Sequence, residues 1–270
     1  GPLADRTIVV GAHYDHLGKQ GRAIYRGADD NAAAVAVLVE AARAAVARTA
    51  RGRRIVFVAF DAEESPYFRS GDMGSEHFAR EAGVEGVDAM IAMDLVGHAI
   101  GPPEVPASVR KSLFILGAEK SELSPFLRSR DGLFVRRIDA EVIPPLSDYD
   151  AYWRRQVPFL FLTAGRSSVY HTPEDTPDRL DWDKMAATGA LLGDLVLDLA
   201  RHAPVARYVD RRDDETTVET VLALARELAP FSPQAGMAVA LAGQLRGREL
   251  DESERATIAM MIAALEQGLA

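Results

Sequence analysis

Hydrophobic positions along the chain fall into short unbroken runs, separated by longer stretches whose apolar residues recur at helical spacing. One run, Arg54-Ile55-Val56-Phe57-Val58-Ala59-Phe60, is β-branched or aromatic at most positions and reads as a strand buried on both faces. It ends abruptly in Asp61-Ala62-Glu63-Glu64. Residues 7–11 read as a shorter strand running into Ala12-His13-Tyr14-Asp15-His16, and residues 87–95 as a third strand that closes on Asp94. Residues 158–163 form a further apolar strand, and residues 133–138 an edge strand.

Between these runs the period changes. Residues 32–48 are rich in Ala, Val and Leu and predict a helix, with Asp30 or Asn31 as its cap. Further helices are predicted over 73–81, 108–121 and 182–201, with a polar turn entering a short helix over 147–153. Strands alternating with helices predict an α/β fold, a three-layer α-β-α sandwich with a mostly parallel central sheet.

The composition shifts at Ala203. Residues 210–215 read as a charged hinge. Beyond it Val218, Val221, Leu222 and Leu228, and later Ile258, Met261, Ile262 and Leu265, follow helical spacing. Asp251 with Glu254 three residues on resembles a capping box. The expected organisation is a main domain over 4–202 and a C-terminal all-helical appendage over 203–270. The tail carries no convergent polar cluster, so a structural or oligomeric role is expected of it. There is no internal repeat or low-complexity tract.

The 270 residues carry a net charge of −9, which argues against nucleic acid and anionic membrane as partners. There is no cysteine, so disulfides and thiolate metal ligands are excluded, and any metal must be held by histidine and carboxylate. No apolar run has membrane-spanning length and no signal peptide is evident. Gly1-Pro2 resembles a tag-cleavage scar, so a trimmed start is expected and the missing targeting segment carries no information. Arg51 to Arg54 reads as a solvated loop before a strand.

Candidate chemistry gathers at the strand ends. His13, Asp15, Asp30, Glu63, Glu64, Asp94 and His171 all fall there, and parallel strands finish on one edge of their sheet. So many acids on one edge would repel unless cations lay between them. Carboxylate and imidazole ligands suit zinc, with Mn2+ or Co2+ as substitutes. Two ions about 3.5 Å apart, sharing one carboxylate, would neutralise the crowd.

Gly11-Ala12-His13-Tyr14-Asp15, Gly27-Ala28-Asp29-Asp30-Asn31, Asp61-Ala62-Glu63-Glu64, Met93-Asp94-Leu95-Val96-Gly97 and Tyr170-His171-Thr172-Pro173-Glu174-Asp175-Thr176 stand in the order found in the co-catalytic dizinc aminopeptidase family. The chain resembles that family over residues 7–201; its relatives include bacterial leucyl aminopeptidases, glutamate carboxypeptidases and glutaminyl cyclases. The resemblance implies a zinc exopeptidase domain over 4–202 that holds two Zn2+ and acts on a peptide substrate. It makes His13 and Asp94 ligands of one zinc, Asp30 the bridging carboxylate, and Glu64 and His171 ligands of the other. Glu63 takes the place of the general base, Asp15 that of the carboxylate orienting His13, and Tyr170 that of a tyrosine bonding the oxyanion. His16 and His98 match no family ligand, and Asp29 is expected to help close the loop before Asp30.

The sequence also departs from the family. Ser65-Pro66-Tyr67-Phe68-Arg69-Ser70-Gly71-Asp72-Met73 intervenes between the Glu pair and Gly74-Ser75, so this loop is expected to border the substrate pocket. Tyr149 stands in the Ser147-Asp148-Tyr149 turn where many members have His. A free α-amine would sit well against the acidic cluster, which favours an aminopeptidase. A carboxypeptidase or dipeptidase would need a cationic clamp, for which Arg69, Arg136, Arg137 and Arg166 are candidates. A metal-free binding module is the reading from a different class. Substrate-binding residues and oligomeric state stay unassigned, and the export of many relatives favours a periplasmic or secreted location.

Overall fold

A computed structural model of the chain describes residues 3–48, 52–201 and 206–269. The expected boundary at 202–203, the composition shift at Ala203, Arg51 and the Gly1-Pro2 segment lie outside the described residues. Six strands form one sheet in the order β4-β1-β5-β8-β6-β7. They are β1 (Thr7–His13), β4 (Arg54–Phe60), β5 (Val87–Met93), β6 (Ser112–Leu116), β7 (Phe134–Ile138) and β8 (Phe159–Thr163). Two short strands, β2 (Gly18–Gln20) and β3 (Ala23–Tyr25), pair as a separate exposed ribbon. β4, β1, β5 and β8 are parallel; β6 runs antiparallel to β8, and β7 parallel to β6. The sheet is therefore mostly parallel with one reversal.

Alternation along the strands assigns the two faces. Ile8, Val10 and Ala12 of β1 and Ile91 and Met93 of β5 pack with α1 (Ala33–Ala47) and α5 (Trp182–Arg201). Val9, Met90, Ala92, Phe159 and Phe161 face the other way. There they meet α2 (Gly74–Glu81), α4 (Asp150–Trp153), α6 (Asp214–Leu228), α7 (Pro233–Leu245) and α8 (Glu252–Leu269). The result is a three-layer sandwich whose C-terminal helices form a helical region on one face of the sheet.

Several expectations change. β4 is an edge strand, paired with β1 alone, and its residues are mostly half-buried rather than covered on both faces. An apolar run does not encode its place in the sheet. The helix expected over 108–121 is confined to α3 (Ala107–Arg110), followed by strand β6, which is buried between β8 and β7. Ser-Leu-Phe-Ile-Leu is too short for its periodicity to tell a buried strand from a buried helix. Helix α1 starts without a side-chain cap: Asn31 Nδ2 donates instead to Met93 O at 2.9 Å, and Asp30 faces the candidate site.

Arg53 is buried rather than solvated; its guanidinium pairs with Asp88 and donates to Leu199 O at 2.6 Å. The charged stretch before α6 is anchored, not free. Lys120 binds Asp210 at 3.2 Å, Arg212 binds Asp139 at 3.0 Å, and Asp213 caps α6 by accepting from Thr216 N at 3.0 Å. The capping box at α8 forms as expected, with Glu254 N donating to Asp251 at 2.8 Å and Asp251 N to Glu254 at 3.1 Å.

Candidate metal centre

The carboxyl ends of β1, β4 and β5 share one edge of the sheet, and the loop after β8 closes over it. His13 ends β1, Glu63 and Glu64 follow β4, Asp94 follows β5, and His171 lies in the loop after β8. Asp30 comes from the turn before α1. Asp30 Oδ1 lies 3.4 Å from His13 Nε2, which is 3.5 Å from Asp94 Oδ1. Asp30 Oδ2 lies 3.1 Å from His171 Nε2, which is 3.2 Å from Glu64 Oε1. The two oxygens of one carboxylate thus face two separate donor groups.

The spacing fits cations. A tetrahedral zinc with bonds of about 2.0–2.1 Å keeps its ligand atoms about 3.3 Å apart, close to the separations observed. His13 Nε2 and Asp94 Oδ1 are buried, face one another and have no hydrogen-bond partner. Unsatisfied buried polar atoms are costly, and a shared ion would satisfy both.

Charge crowding points the same way. Burial, and then Asp94, Asp148 and Glu64 against the opposing pull of His13, push the Glu63 carboxyl up to about 10. Burial raises Asp30 to about 6 despite His171. Hydrogen bonding to Asp30 and Glu64 raises His171 to about 9, overcoming its burial. Although burial opposes it, His16 and His171 hold Glu64 down at about 2. Without metal the site takes up protons where positive charge is wanted.

The sequence reading placed His16 in the surroundings. The structure brings its Nδ1 to 3.0 Å from Glu64 Oε1 and 3.8 Å from Asp30 Oδ2, so it joins Asp30, Glu64 and His171 as a donor. Only its position three residues after His13 could have suggested this. Tyr170 stacks on the His171 ring, with centroids 3.9 Å apart. Tyr149 stacks on Phe161 at 4.6 Å and its hydroxyl accepts from Leu146 N, so its ring belongs to the core.

Two aspartates hold the backbone of the site. Asp15 accepts from Glu63 N at 3.1 Å through one oxygen and from Glu64 N at 3.0 Å through the other. The oxygen facing Glu63 N is also 3.5 Å from His13 Nδ1. Asp175 repeats the device, accepting from Asp29 N at 2.8 Å and Asp30 N at 3.1 Å. Asp29 in turn accepts from Gly97 N and from His98 Nδ1, each at 2.7 Å, and Lys184 Nζ donates to His98 O at 2.8 Å. Gly97 admits this approach: a Cβ there would lie 2.6 Å from Ala33 Cβ and 2.9 Å from Asp29 Oδ1. Ala62, Leu95 and His171 adopt positive φ near 55°, a conformation costing a non-glycine residue about 1–2 kcal/mol. Such strain concentrates at functional sites.

The sequence model of peptidase family M28 matches residues 1–196. The chain belongs to this family. It is 32% identical over 212 residues to the uncharacterized protein YfbL of Escherichia coli strain K12, a match covering 69% of this chain and 65% of YfbL. Among solved structures it resembles the LapA aminopeptidase of Legionella pneumophila (TM-score 0.58, 20% identity, 75% of this chain and 53% of that one). An aminopeptidase from Aneurinibacillus sp. strain AM-1 gives a TM-score of 0.57 at 22% identity, covering 77% of this chain and 47% of that one. A glutaminyl cyclase from Macrostomum lignano gives 0.57 at 22% identity, covering 76% and 71%. The chain thus spans about half the length of the two aminopeptidases and 65% of YfbL. These structural likenesses show a shared fold.

The candidate centre opens into a cavity of about 660 Å³. Asp30, Glu63, Glu64, Asp94 and His171 stand at one end, and Ser65 and Phe68 of the intervening loop border it as expected. The sheet face of β6 and β8 forms one wall. The other comes from α6 and α8, in the tail read from the sequence as structural or oligomeric. Asp148, fully buried beside Ser75, lies in the electrostatic reach of His13 and Glu63. Sequence reading had passed over it beside Tyr149. No helix among the described residues is long and apolar enough to cross a membrane.

Proposed function

We propose that this M28 peptidase is an aminopeptidase that removes the N-terminal residue of a peptide with two zinc ions. The observation carrying the reading is Asp30, whose two oxygens face His13 and Asp94 on one side and Glu64, His171 and His16 on the other. Zinc held by these groups would supply Lewis-acid polarisation of the scissile carbonyl and acidify a water. Glu63 stands beside them with Oε2 3.8 Å from His13 Nε2 and opens to the cavity. It takes the proton of the attacking water and delivers it to the leaving amine. Asp15 fixes the Glu63 and Glu64 backbone and the ring of His13, so base and ligands move as one unit. Tyr170 lines the same cavity, and in this reading its hydroxyl steadies the oxygen on which charge develops.

A substrate α-amine finds compensation against the carboxylates, whereas among the described residues three of the four candidate clamps for a substrate carboxylate are already paired and the fourth, Arg137, does not line the cavity. Arg166, which lines the cavity, is bound to Glu266 at 2.6 Å; Arg69 pairs with Asp150 at 3.4 Å and Arg136 with Glu227 at 3.1 Å. This favours the aminopeptidase over the carboxypeptidase. The test is hydrolysis of aminoacyl-p-nitroanilides, lost with chelator and restored by zinc. Glu63→Gln should retain zinc and lose at least a hundredfold in kcat. Cleavage confined to N-blocked substrates would overturn the aminopeptidase assignment, and unchanged turnover in Glu63→Gln would remove its role as base.

A further inference from the structure

The family match ends at residue 196, yet α6 and α8 lie beyond it and wall the cavity beside the metal cluster. Besides Glu63 and His171 the cavity is lined by Thr163 and Phe161 of β8, Leu116 of β6, Ile138 of β7, Leu224 of α6 and Leu265 of α8. At about 30 Å³ for a water-sized group, its 660 Å³ has room for on the order of twenty heavy atoms. A leucine side chain brings four and a phenylalanine seven.

The polar groups along this route are already engaged. Thr220 Oγ1 donates to Arg137 O at 2.8 Å, Thr163 Oγ1 accepts from Gly165 N at 3.0 Å, and Arg166 and Glu266 hold each other. A peptide threaded into the chamber would bury amides with no partners, and each unsatisfied group is costly. A hydrocarbon has no such groups to satisfy.

We propose that the chamber receives a long hydrocarbon group carried on the N-terminal residue of the substrate. The preferred substrate is then an amine-terminal peptide whose first side chain is apolar and well beyond leucine or phenylalanine in length, the chemistry of a lipid-bearing residue. This rests on the aminopeptidase reading, in which the free amine meets the acidic end and the side chain runs under α6 and α8.

The test uses the zinc-loaded full chain and 4-methylcoumarin amides of alanine, norleucine, 2-aminooctanoic acid and 2-aminodecanoic acid. Burial of each methylene should raise kcat/KM roughly fourfold, with the rise continuing past norleucine. Ala259→Phe, which projects a ring from α8 into the chamber, should lower the aminodecanoyl-to-alanyl ratio of kcat/KM at least tenfold. Ala263→Trp, at a second lining position of α8, serves as a further variant should the first fold poorly. Hydrolysis of the alanyl probe with no gain from longer chains would overturn the proposal and leave the aminopeptidase standing. If no probe is cleaved, the aminopeptidase reading fails, and binding of free 2-aminodecanoic acid against alanine by calorimetry decides the chamber. Equal affinities would overturn it, and affinity rising with chain length would uphold it.

Discussion

Replacing Asp175 by Asn tests whether the Asp30 carboxylate is held from behind. Asp175 is fully buried, and each of its oxygens accepts one backbone N–H, from Asp29 and from Asp30. Asparagine keeps the shape but offers a single acceptor oxygen, so one N–H is left facing an NH2 group. A hydrogen bond to a charged group contributes about 1.5–3 kcal/mol, and an orphaned buried donor costs a similar amount. The variant should therefore lose about 2–3 kcal/mol, lowering Tm of the metal-free protein by roughly 5–10 °C. Because the freed N–H belongs to the turn presenting Asp30, zinc affinity should fall about 10–100-fold, as for other groups that position ligands. Calorimetric melting with chelator present, followed by competitive zinc titration, separates the two effects. A variant that melts within a degree of the parent and binds zinc equally well would refute the reasoning. Loss of stability with unchanged zinc affinity would confine Asp175 to holding the loop.

Other outcomes follow from the same structure. Zinc binding to the metal-free protein at pH 7 should release protons, because His171 and Glu63 hold theirs above that pH; the measured enthalpy should then vary with buffer ionisation enthalpy. Gly97→Ala should destabilise by about 1–3 kcal/mol through the clash with Ala33 and Asp29, read by urea unfolding. Glu119 is buried away from the site, and burial, only partly offset by the Ala140 N–H, raises its carboxyl from 4.5 to about 7. Between those values the folded state keeps a proton the unfolded state has released, so stability falls as pH rises from 4.5 to 7 and stays lowered above it. Glu119→Gln retains the acceptor and removes this slope. It should gain up to about 3 kcal/mol at pH 8 and little at pH 4.5, measured by denaturant melts at both.

Much of the centre was legible because its residues close strands or loops in a fixed order. His13 and Asp94 mark strand ends whatever the rest of the chain does, and alternation placed Ile8 and Val10 opposite Val9. What escaped has physical causes. The sequence of β4 is that of an interior strand, yet pairing put it at the edge. The apolar run of β6 is too short to show a period. His16 reaches the cluster through the path of its loop, which spacing does not record. Asp148 and Asp175 look like ordinary turn formers, and only the folded structure shows what faces them. The apolar faces of α6 and α8 carry no chemical signature, so nothing distinguished a pocket wall from a core.

The reversal of direction at β6 has a consequence for how such a molecule can change. Four neighbouring strands deliver their reactive loops to one rim, while β6 and β7 send theirs to the opposite rim and offer the crevice only an oily flank. The polar cluster and the apolar wall beside it are thus encoded in different stretches of polypeptide. If the proposed reading holds, substitutions along that flank would retune appetite while leaving the cluster untouched, and a lineage with this layout would be free to explore new diets at little risk to its chemistry.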